Sequence, residues 1–377
     1  MTKQVLVTGG AGFIGSHLVP KLVANGHRVR VMDNLSAQVH EALPSNLEWL
    51  KQEGIEFMRG DVVNPDDWSA ALADVDAIVH LAAETGTGQS MYQIAKYNLV
   101  NTQATAYLFD ALRKSASHRV SRIVLSSSRS VYGEGAYVDA DNRRVFPAPR
   151  GSAELAAGCW EPVCPLTGTA LSVVPTLESD TVSPASIYAA TKYAQEDLVR
   201  IGAQSLGIGY AILRLQNVYG ERQSLNNPYT GILSIFSTKI RRGLQLPLFE
   251  DGNESRDFVH VDDVTDAMVA ALSRSESPDC VINVGSGVQT SVRNVAEELS
   301  MAFGRTPDIV VTGEYRLGDI RHNIADIGKL KSVLGITPQV SLSTGLRRFA
   351  DWVLEQPLPE DLLDKANQEL RTRNLMK

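Results

Sequence analysis

The sequence predicts an α/β protein, a doubly wound parallel sheet covered by helices on both faces and joined to a smaller mixed lobe. Three observations carry this. Short β-branched runs alternate with helix-period patterns from residue 4 to about residue 215. The first run turns into its helix through a cluster of glycines, Gly9, Gly10, Gly12 and Gly15. Beyond residue 217 the alternation gives way to scattered elements.

Taken in order, Val5-Leu6-Val7 is a buried strand, and Phe13, Ile14, Leu18, Leu22 and Val23 are the apolar stripe of the helix that follows. Arg28 to Met32 is a second strand ending in Asp33, and Ile55 to Met58 a third, followed by Gly60-Asp61-Val62. Ala77 to Ala83 is a fourth, and a long helix over about 90–115 carries Tyr97-Asn98 and Thr102. Arg122 to Leu125 runs into Ser126-Ser127-Ser128, a helix covers 186–206, and Tyr210 to Arg214 is the sixth strand. The segment between Tyr132 and Ser186 is rich in Pro, Gly and small residues, and connections that long commonly carry function. Further on come a helix near 228–243, the run Leu246 to Phe249, a strand near Phe258 to Val261, and two or three more helices. The last twenty or so residues read as a charged surface helix. No internal repeat or clean linker is visible. The division expected is 1–217, with 257–285 returning to it, against a lobe of 218–256 plus 286–377.

Composition narrows the function. A chain of 377 residues with 44% hydrophobic and 21% charged residues is ordinary for a soluble enzyme. A net charge of -7 with no Lys/Arg cluster argues against a nucleic-acid surface. No apolar run approaches the roughly 20 residues of a membrane span. The first strand begins by about residue 4, which leaves no room for a signal peptide. Three cysteines, Cys159, Cys164 and Cys280, form no disulfide framework and suit a reducing compartment. The expected location is cytoplasmic.

The glycines satisfy G-x-G-x-x-G, the dinucleotide-binding pattern of a Rossmann-type sheet. They permit the tight turn, the approach of a pyrophosphate to the backbone, and close packing of helix on strand, while the helix N-terminus supplies free N–H groups. A merely structural glycine turn is the alternative. Asp33, at the spacing of a ribose-binding carboxylate, sharpens the reading and favours NAD over NADP, whose 2′-phosphate it would repel.

Ser186-Ile187-Tyr188-Ala189-Ala190-Thr191-Lys192 places Tyr-x-x-x-Lys on one helix face. A free phenol has a pKa near 10. A neighbouring ammonium and the cationic nicotinamide ring favour the phenolate, which makes Tyr188 a general base toward a sugar hydroxyl. In isolation such a pair is commonly a solvated helix face; behind the glycine turn it reads as chemistry.

Together with Asp61-Val62, Leu81-Ala82-Ala83, Asn98, the Ser126–Ser128 strand end and Arg214-Leu215-Gln216-Asn217-Val218-Tyr219-Gly220, these motifs resemble the extended short-chain dehydrogenase/reductases, and more narrowly the nucleotide-sugar epimerases and dehydratases. The resemblance implies NAD in the sheet domain and a nucleoside-diphosphate sugar in the lobe. It implies Ser128, Tyr188 and Lys192 as catalytic residues. Gly9, Gly12, Phe13, Ile14, Gly15, Asp33, Asn34, Asp61, Val62, Leu81, Ala82, Ala83 and Asn98, with Tyr188 and Lys192, fall on cofactor positions. Asn217, Pro247, Phe249, Arg256 and Arg321 fall on the substrate side, the two arginines as diphosphate contacts or else as surface ion pairs. Arg214, inside a strand, is read as structural.

Dehydratases of this family carry Asp-Glu directly after the Ser/Thr, and decarboxylating members keep the Glu. Here Arg129 and Ser130 stand there, so the expected reaction is C4 epimerisation through a 4-keto sugar. The stretches Gln223 to Phe236 and Gly318 to Asp326 resemble a branch acting on dTDP-L-rhamnose to form dTDP-6-deoxy-L-talose, which places a dTDP sugar ahead of a UDP sugar. For Asn226-Asn227-Pro228 a helix-capping turn is a compatible reading. A UDP-hexose 4-epimerase and a net-redox enzyme share these residues, whereas a regulator without catalysis would usually lose one of Ser128, Tyr188 and Lys192. Cys164-Pro165-Leu166-Thr167-Gly168 resembles half a zinc knuckle with Thr167 in a ligand's place, so a metal-free loop capping the substrate is expected. A homodimer is expected through the helices near 90–115 and 186–206.

Overall fold

The structure, a computed structural model, describes residues 2–40, 44–115, 118–225, 231–273, 279–361 and 363–377. Its centre is a parallel sheet of seven strands: β1 (Gln4–Thr8), β2 (Arg28–Asp33), β3 (Ile55–Arg59), β4 (Ala77–His80), β5 (Arg122–Ser128), β6 (Gly209–Leu215) and β7 (Cys280–Val284). Their order is β7-β6-β5-β4-β1-β2-β3. The chain leaves β1 toward β2 on one side and comes back to β4 on the other, so a crevice opens at the carboxyl ends of these two strands. The sequence reading stops at six strands; β7 adds an edge, pairing with β6 from Cys280↔Ala211 to Val284↔Leu215.

The strand period explains the two faces. Val5 and Val7 point to one side, where they meet Leu18 and Leu22 of α1 (Phe13–Ala24). Leu6 points to the other, into a core with Trp68, Leu108 of α2 (Ala104–Lys114) and Val199 of α3 (Ile187–Leu206). All of these are fully buried, each contributing about 1.5–3 kcal/mol of transfer free energy.

The lobe has its own core. Helices α4 (Ile232–Arg242), α6 (Val292–Ala302) and α7 (Leu342–Glu355) pack around Phe236, Leu248, Leu299 and Phe349. Helix α5 (Val261–Ser273) lies between α4 and α6 in sequence, yet its Val264, Met268 and Leu272 join the sheet core with α1. Strand Ser255–His260 joins the halves, its first residues pairing with Gln289–Ser291 and its last with Asn217–Tyr219.

Two elements depart from the expected pattern. The long helix over 90–115 is interrupted by a π-helical stretch at Asn98–Gln103, whose physical reason lies in the site described below. The final helix, α8 (Leu363–Thr372), is no simple surface helix, for Leu363, Ala366, Asn367 and Leu370 are buried.

Candidate active site

The dinucleotide cradle forms at the end of β1. Gly9 has φ +66°, and a Cβ there would lie 2.7 Å from the Ala82 nitrogen. A Cβ on Gly15 would strike the Gly10 carbonyl at 2.3 Å, so helix and turn touch only because this residue is glycine. Gly12 caps α1 with extended backbone and without a side-chain hydrogen bond, leaving the first-turn N–H groups, at Phe13 and Ile14, to a ligand. Asp33 ends β2, nearly buried, with Oδ2 accepting from Ala11 N–H at 3.0 Å and Oδ1 from Leu35 N–H at 2.9 Å. The Asn34 amide donates to Asp61 Oδ2 at 3.0 Å, which joins the ends of β2 and β3 beside Val62. Leu81, Ala82 and Ala83 leave β4 toward the same crevice, and Ala82 N–H donates to Thr8 Oγ1 at 3.3 Å. An uncapped helix N-terminus supplies donors for the pyrophosphate of NAD, and the carboxylate it faces is an acceptor for the ribose hydroxyls.

Ser128 ends β5, and Tyr188 sits in the first turn of α3, whose N-cap Ser186 accepts from Ala189 N–H at 3.2 Å. Burial pushes the Tyr188 phenol up, while the Ser128 hydroxyl and the Arg129 guanidinium pull it down. Ser128 Oγ also accepts from Ser130 Oγ at 3.0 Å. Lys192, one turn further along α3, is 2% exposed and is lowered by burial to about 7. Its Nζ donates to Gln195 Oε1 at 2.6 Å. From there a buried polar chain runs under the crevice: Gln195 Nε2 donates to Thr105 Oγ1 at 2.9 Å, His80 Nε2 lies 3.2 Å from the same oxygen, and His80 Nδ1 lies 2.7 Å from Thr8 Oγ1. Thr105 gives its own proton to the Asn101 carbonyl, so His80 carries its proton on Nε2 and accepts from Thr8 on Nδ1. Burial, helped by the nearby Lys192, lowers His80 to about 3 and keeps it neutral.

The substrate side is a cavity of about 220 Å³ lined by Asn217, Pro247, Phe249, Arg256, Arg316 and Leu363 among others. Four of the five substrate residues named from sequence therefore meet there. Arg256 donates to the carbonyls of Ile320 at 2.7 Å and Arg321 at 2.9 Å. Arg129 Nε donates to Asn217 Oδ1 at 3.0 Å, and burial followed by the charge of Arg256 lowers its guanidinium to about 9. Glu254 also lines the cavity; burial raises its carboxyl to about 7.

Arg321 is the correction. Its side chain is 1% exposed and committed to carboxylates, with Nη1 2.9 Å from Glu250 and 2.8 Å from Asp251, and Nε 2.8 Å from Glu161. A guanidinium so engaged has no face left for a diphosphate. Arg316, which the sequence reading passed over, does reach the cavity. It stacks over the Phe249 ring at 4.7 Å and lines the cavity, and its Nε is buried without a hydrogen-bond partner among the described residues. Its position two residues before the Gly318 to Asp326 stretch singled out above was the available signal.

Asn98 stands exposed at the start of the π-helical stretch, whereas Asn101 is wholly buried. The Asn101 side chain accepts from Glu84 N–H at 2.8 Å and donates to the Glu84 carbonyl at 3.1 Å and to Thr191 Oγ1 at 3.0 Å. The wider π turn swings this amide inward to tie the loop after β4 to α3, a usual position for such bulges. Arg214 is structural as expected, paired with buried Glu196 at 2.7 Å and packed over Tyr132.

The Tyr132–Ser186 segment is ordered by a small three-stranded sheet, Arg144–Val145, Tyr137–Val138 and Ser172–Val173, around Tyr137, Cys164 and Leu171. Arg150 docks it on the lobe, with Nη2 2.8 Å from Glu250 and donating to the Asp319 carbonyl at 3.0 Å. Cys159 is exposed and Cys164 buried, and among the described residues no cluster of His, Cys, Asp or Glu could hold a metal ion. The Asn226 to Thr230 part of the substrate stretch lies outside the described residues. Among the described residues no helix is long and apolar enough to cross a membrane.

The model of the NAD dependent epimerase/dehydratase family matches residues 5–151 and 167–285. The chain belongs to this family. The chain is 41% identical, over 97% of each sequence, to a dTDP-L-rhamnose 4-epimerase of Burkholderia thailandensis. It is 33% identical to a UDP-glucose 4-epimerase of Mycolicibacterium smegmatis, covering 93% of this chain and 98% of that one. Among solved structures, UDP-glucuronic acid 4-epimerase from Bacillus cereus, in complex with UDP-glucuronic acid and NAD, superposes with a TM-score of 0.75 at 28% identity, covering 93% of this chain and 99% of that one. Membership makes NAD the family's cofactor, and the cradle at Gly9–Gly15 with Asp33 carries the features it needs.

Proposed function

We propose that the chain epimerises a nucleoside-diphosphate sugar at C4 through a 4-keto sugar, with dTDP-L-rhamnose and dTDP-6-deoxy-L-talose as the substrate pair. The observation that carries the reaction is the composition of the centre: Ser128 and Tyr188 are paired, and the two residues after Ser128 are Arg129 and Ser130, neither of them an acid that could expel water. The likeness to the dTDP-L-rhamnose 4-epimerase supports the sugar.

Tyr188 takes the proton of the 4-hydroxyl, and Ser128 holds that hydroxyl by a hydrogen bond while it reacts. NAD, when bound, accepts the C4 hydride and later returns it to the opposite face of the ring. Lys192 lies beneath the centre and supplies positive charge there in its protonated form, and the neutral chain through Gln195, Thr105 and His80 holds its Nζ in one place. Arg256 and Arg316 hold the diphosphate, so the sugar can turn without the nucleotide leaving. The cycle has no net redox change, which favours retention of the cofactor.

Incubation with dTDP-L-rhamnose in deuterated water tests this. The C4 epimer should form with no deuterium at C3, C4 or C5, because the hydrogen at C4 never exchanges with solvent. Deuterium at C5, or a product lighter by one water, would overturn the reading. Steady NADH release would point to net redox chemistry instead. UDP-galactose is the comparison substrate, since the 33% identity to a UDP-glucose 4-epimerase favours a UDP-hexose as the second reading.

The proposal includes a homodimer built on α2, α3 and the turns before α2, where Ile94, Leu99, Tyr193 and Ile201 are exposed although apolar. Light scattering at micromolar concentration checks it, a monomer counting against it. Three free cysteines suit a reducing, cytoplasmic setting.

A further inference from the structure

Residues 363–377 begin at the cavity wall with Leu363 and touch both the sheet domain, at Tyr92, and the lobe, at Glu314 and Tyr315. The approach to this strap is fixed on α4, where Lys239 pairs with Asp361 at 2.8 Å and Arg242 Nε donates to the Pro359 carbonyl at 3.0 Å. On the sheet-domain side, Tyr92 Oη donates to Glu369 Oε2 at 3.0 Å, and Arg373 lies 4.2 Å over the Tyr92 ring. On the lobe side Arg371 pairs with Glu314, and Tyr315 exchanges two backbone hydrogen bonds with Lys377, at 2.9 and 3.1 Å. Leu370 and Leu375 close a smaller recess against Thr87, Met91 and Ser186, the cap of the helix that carries Tyr188.

Two strap residues touch the site itself. Leu363 lines the 220 Å³ cavity. Asn367, 4% exposed, accepts through Oδ1 from Arg316 Nη2 at 2.9 Å. Arg316 has no carboxylate within ion-pair distance among the described residues; it rests on Phe249 and on Asn367. A cation held by a neutral amide keeps its charge available to a diphosphate, whereas a carboxylate in that place would compete for it.

We propose that the strap is a working part of the nucleotide-sugar site: Leu363 walls the cavity, Asn367 aims Arg316 at the diphosphate as a positioning residue, and the bridge through Tyr92 and Glu369 keeps the 4-keto sugar inside while it turns. This rests on the reading under Proposed function. A 4-keto sugar that escapes after the first half-reaction takes the oxidised carbon with it and leaves the two electrons and one proton of the hydride on the cofactor as NADH. A strap that holds is therefore what keeps the cycle redox-neutral.

Three variants test it: Asn367→Leu, Tyr92→Phe and a chain ending at Asp361, each checked for retained NAD and circular dichroism. Asn367→Leu should weaken binding of dTDP, measured by titration calorimetry, about tenfold, the factor a hydrogen bond to a charged group carries. With dTDP-L-rhamnose, Tyr92→Phe and the shortened chain should accumulate NADH absorbance and release 4-keto sugar, which the unaltered protein does not. Unchanged dTDP affinity in Asn367→Leu, or turnover of Tyr92→Phe without NADH accumulation, overturns the proposal. Should the shortened chain not fold, the two point variants decide. Failure of the unaltered protein to convert any nucleotide sugar strikes the functional reading instead, and the dTDP titration still judges the strap.

Discussion

Gln195 takes the Lys192 ammonium at 2.6 Å, and His80, two hydrogen bonds further on, is fixed as the neutral tautomer with its proton on Nε2. Lys192 is thus buried and held from below by uncharged partners. Burial of its charge without a hydrogen-bonded carboxylate is what lowers it to about 7.

The sign of the resulting pH dependence is fixed. Between about pH 7 and the ordinary lysine value of 10.5, the unfolded chain holds a proton on Lys192 that the folded protein has given up. Unfolding then binds protons, so stability rises with pH across this window. In Lys192→Met this contribution disappears. Thermal melts of the two proteins from pH 7 to 10 should show the unaltered protein gaining on the variant as pH rises; parallel curves would refute the depressed lysine.

Tyr188→Phe removes one oxygen from a half-buried ring packed edge-on against Tyr97. Fold and bound NAD should persist, while turnover falls by roughly 10²–10⁴, the usual contribution of general acid–base catalysis. An unchanged rate would take the phenol out of the mechanism.

Asp33→Ala should lower NAD affinity and relax the preference over NADP, because the variant loses both the ribose acceptor and the charge that repels a 2′-phosphate. Cofactor release on denaturation, together with NAD and NADP titrations, measures both effects. Tighter NADP than NAD binding in the unaltered protein would be the contrary result.

Arg316→Ala and Arg321→Ala should separate binding from folding. Arg316 faces the cavity, so its removal should raise KM for the nucleotide sugar at nearly unchanged melting temperature. Arg321 is buried among Glu250, Asp251 and Glu161, so its loss should lower stability, while Glu250 keeps its second partner Arg150. Chemical denaturation and steady-state kinetics on both variants check the division.

Features encoded within one turn or one strand were legible in the chain before folding. The glycine turn after β1, the ribose carboxylate at the end of β2 and the Tyr188–Lys192 face of α3 are local geometry, legible because helix and strand periods are fixed by the backbone. The absence of an acid pair after Ser128 was equally plain, since it needs only the identity of two neighbours. Which arginines pair with carboxylates emerges only on folding. Arg256, Arg316 and Arg321 look alike along the chain, and what separates them is that Glu161 and the adjacent pair Glu250 and Asp251, from two distant stretches, converge on the last of them. The same holds for Asn98 and Asn101, where a π turn chooses the residue that faces inward. It holds for α8, whose charged sequence hid the buried face of Leu363, Asn367 and Leu370. Burial and charge pairing are properties of contacts between segments far apart in sequence, so they exist only once the chain has closed on itself.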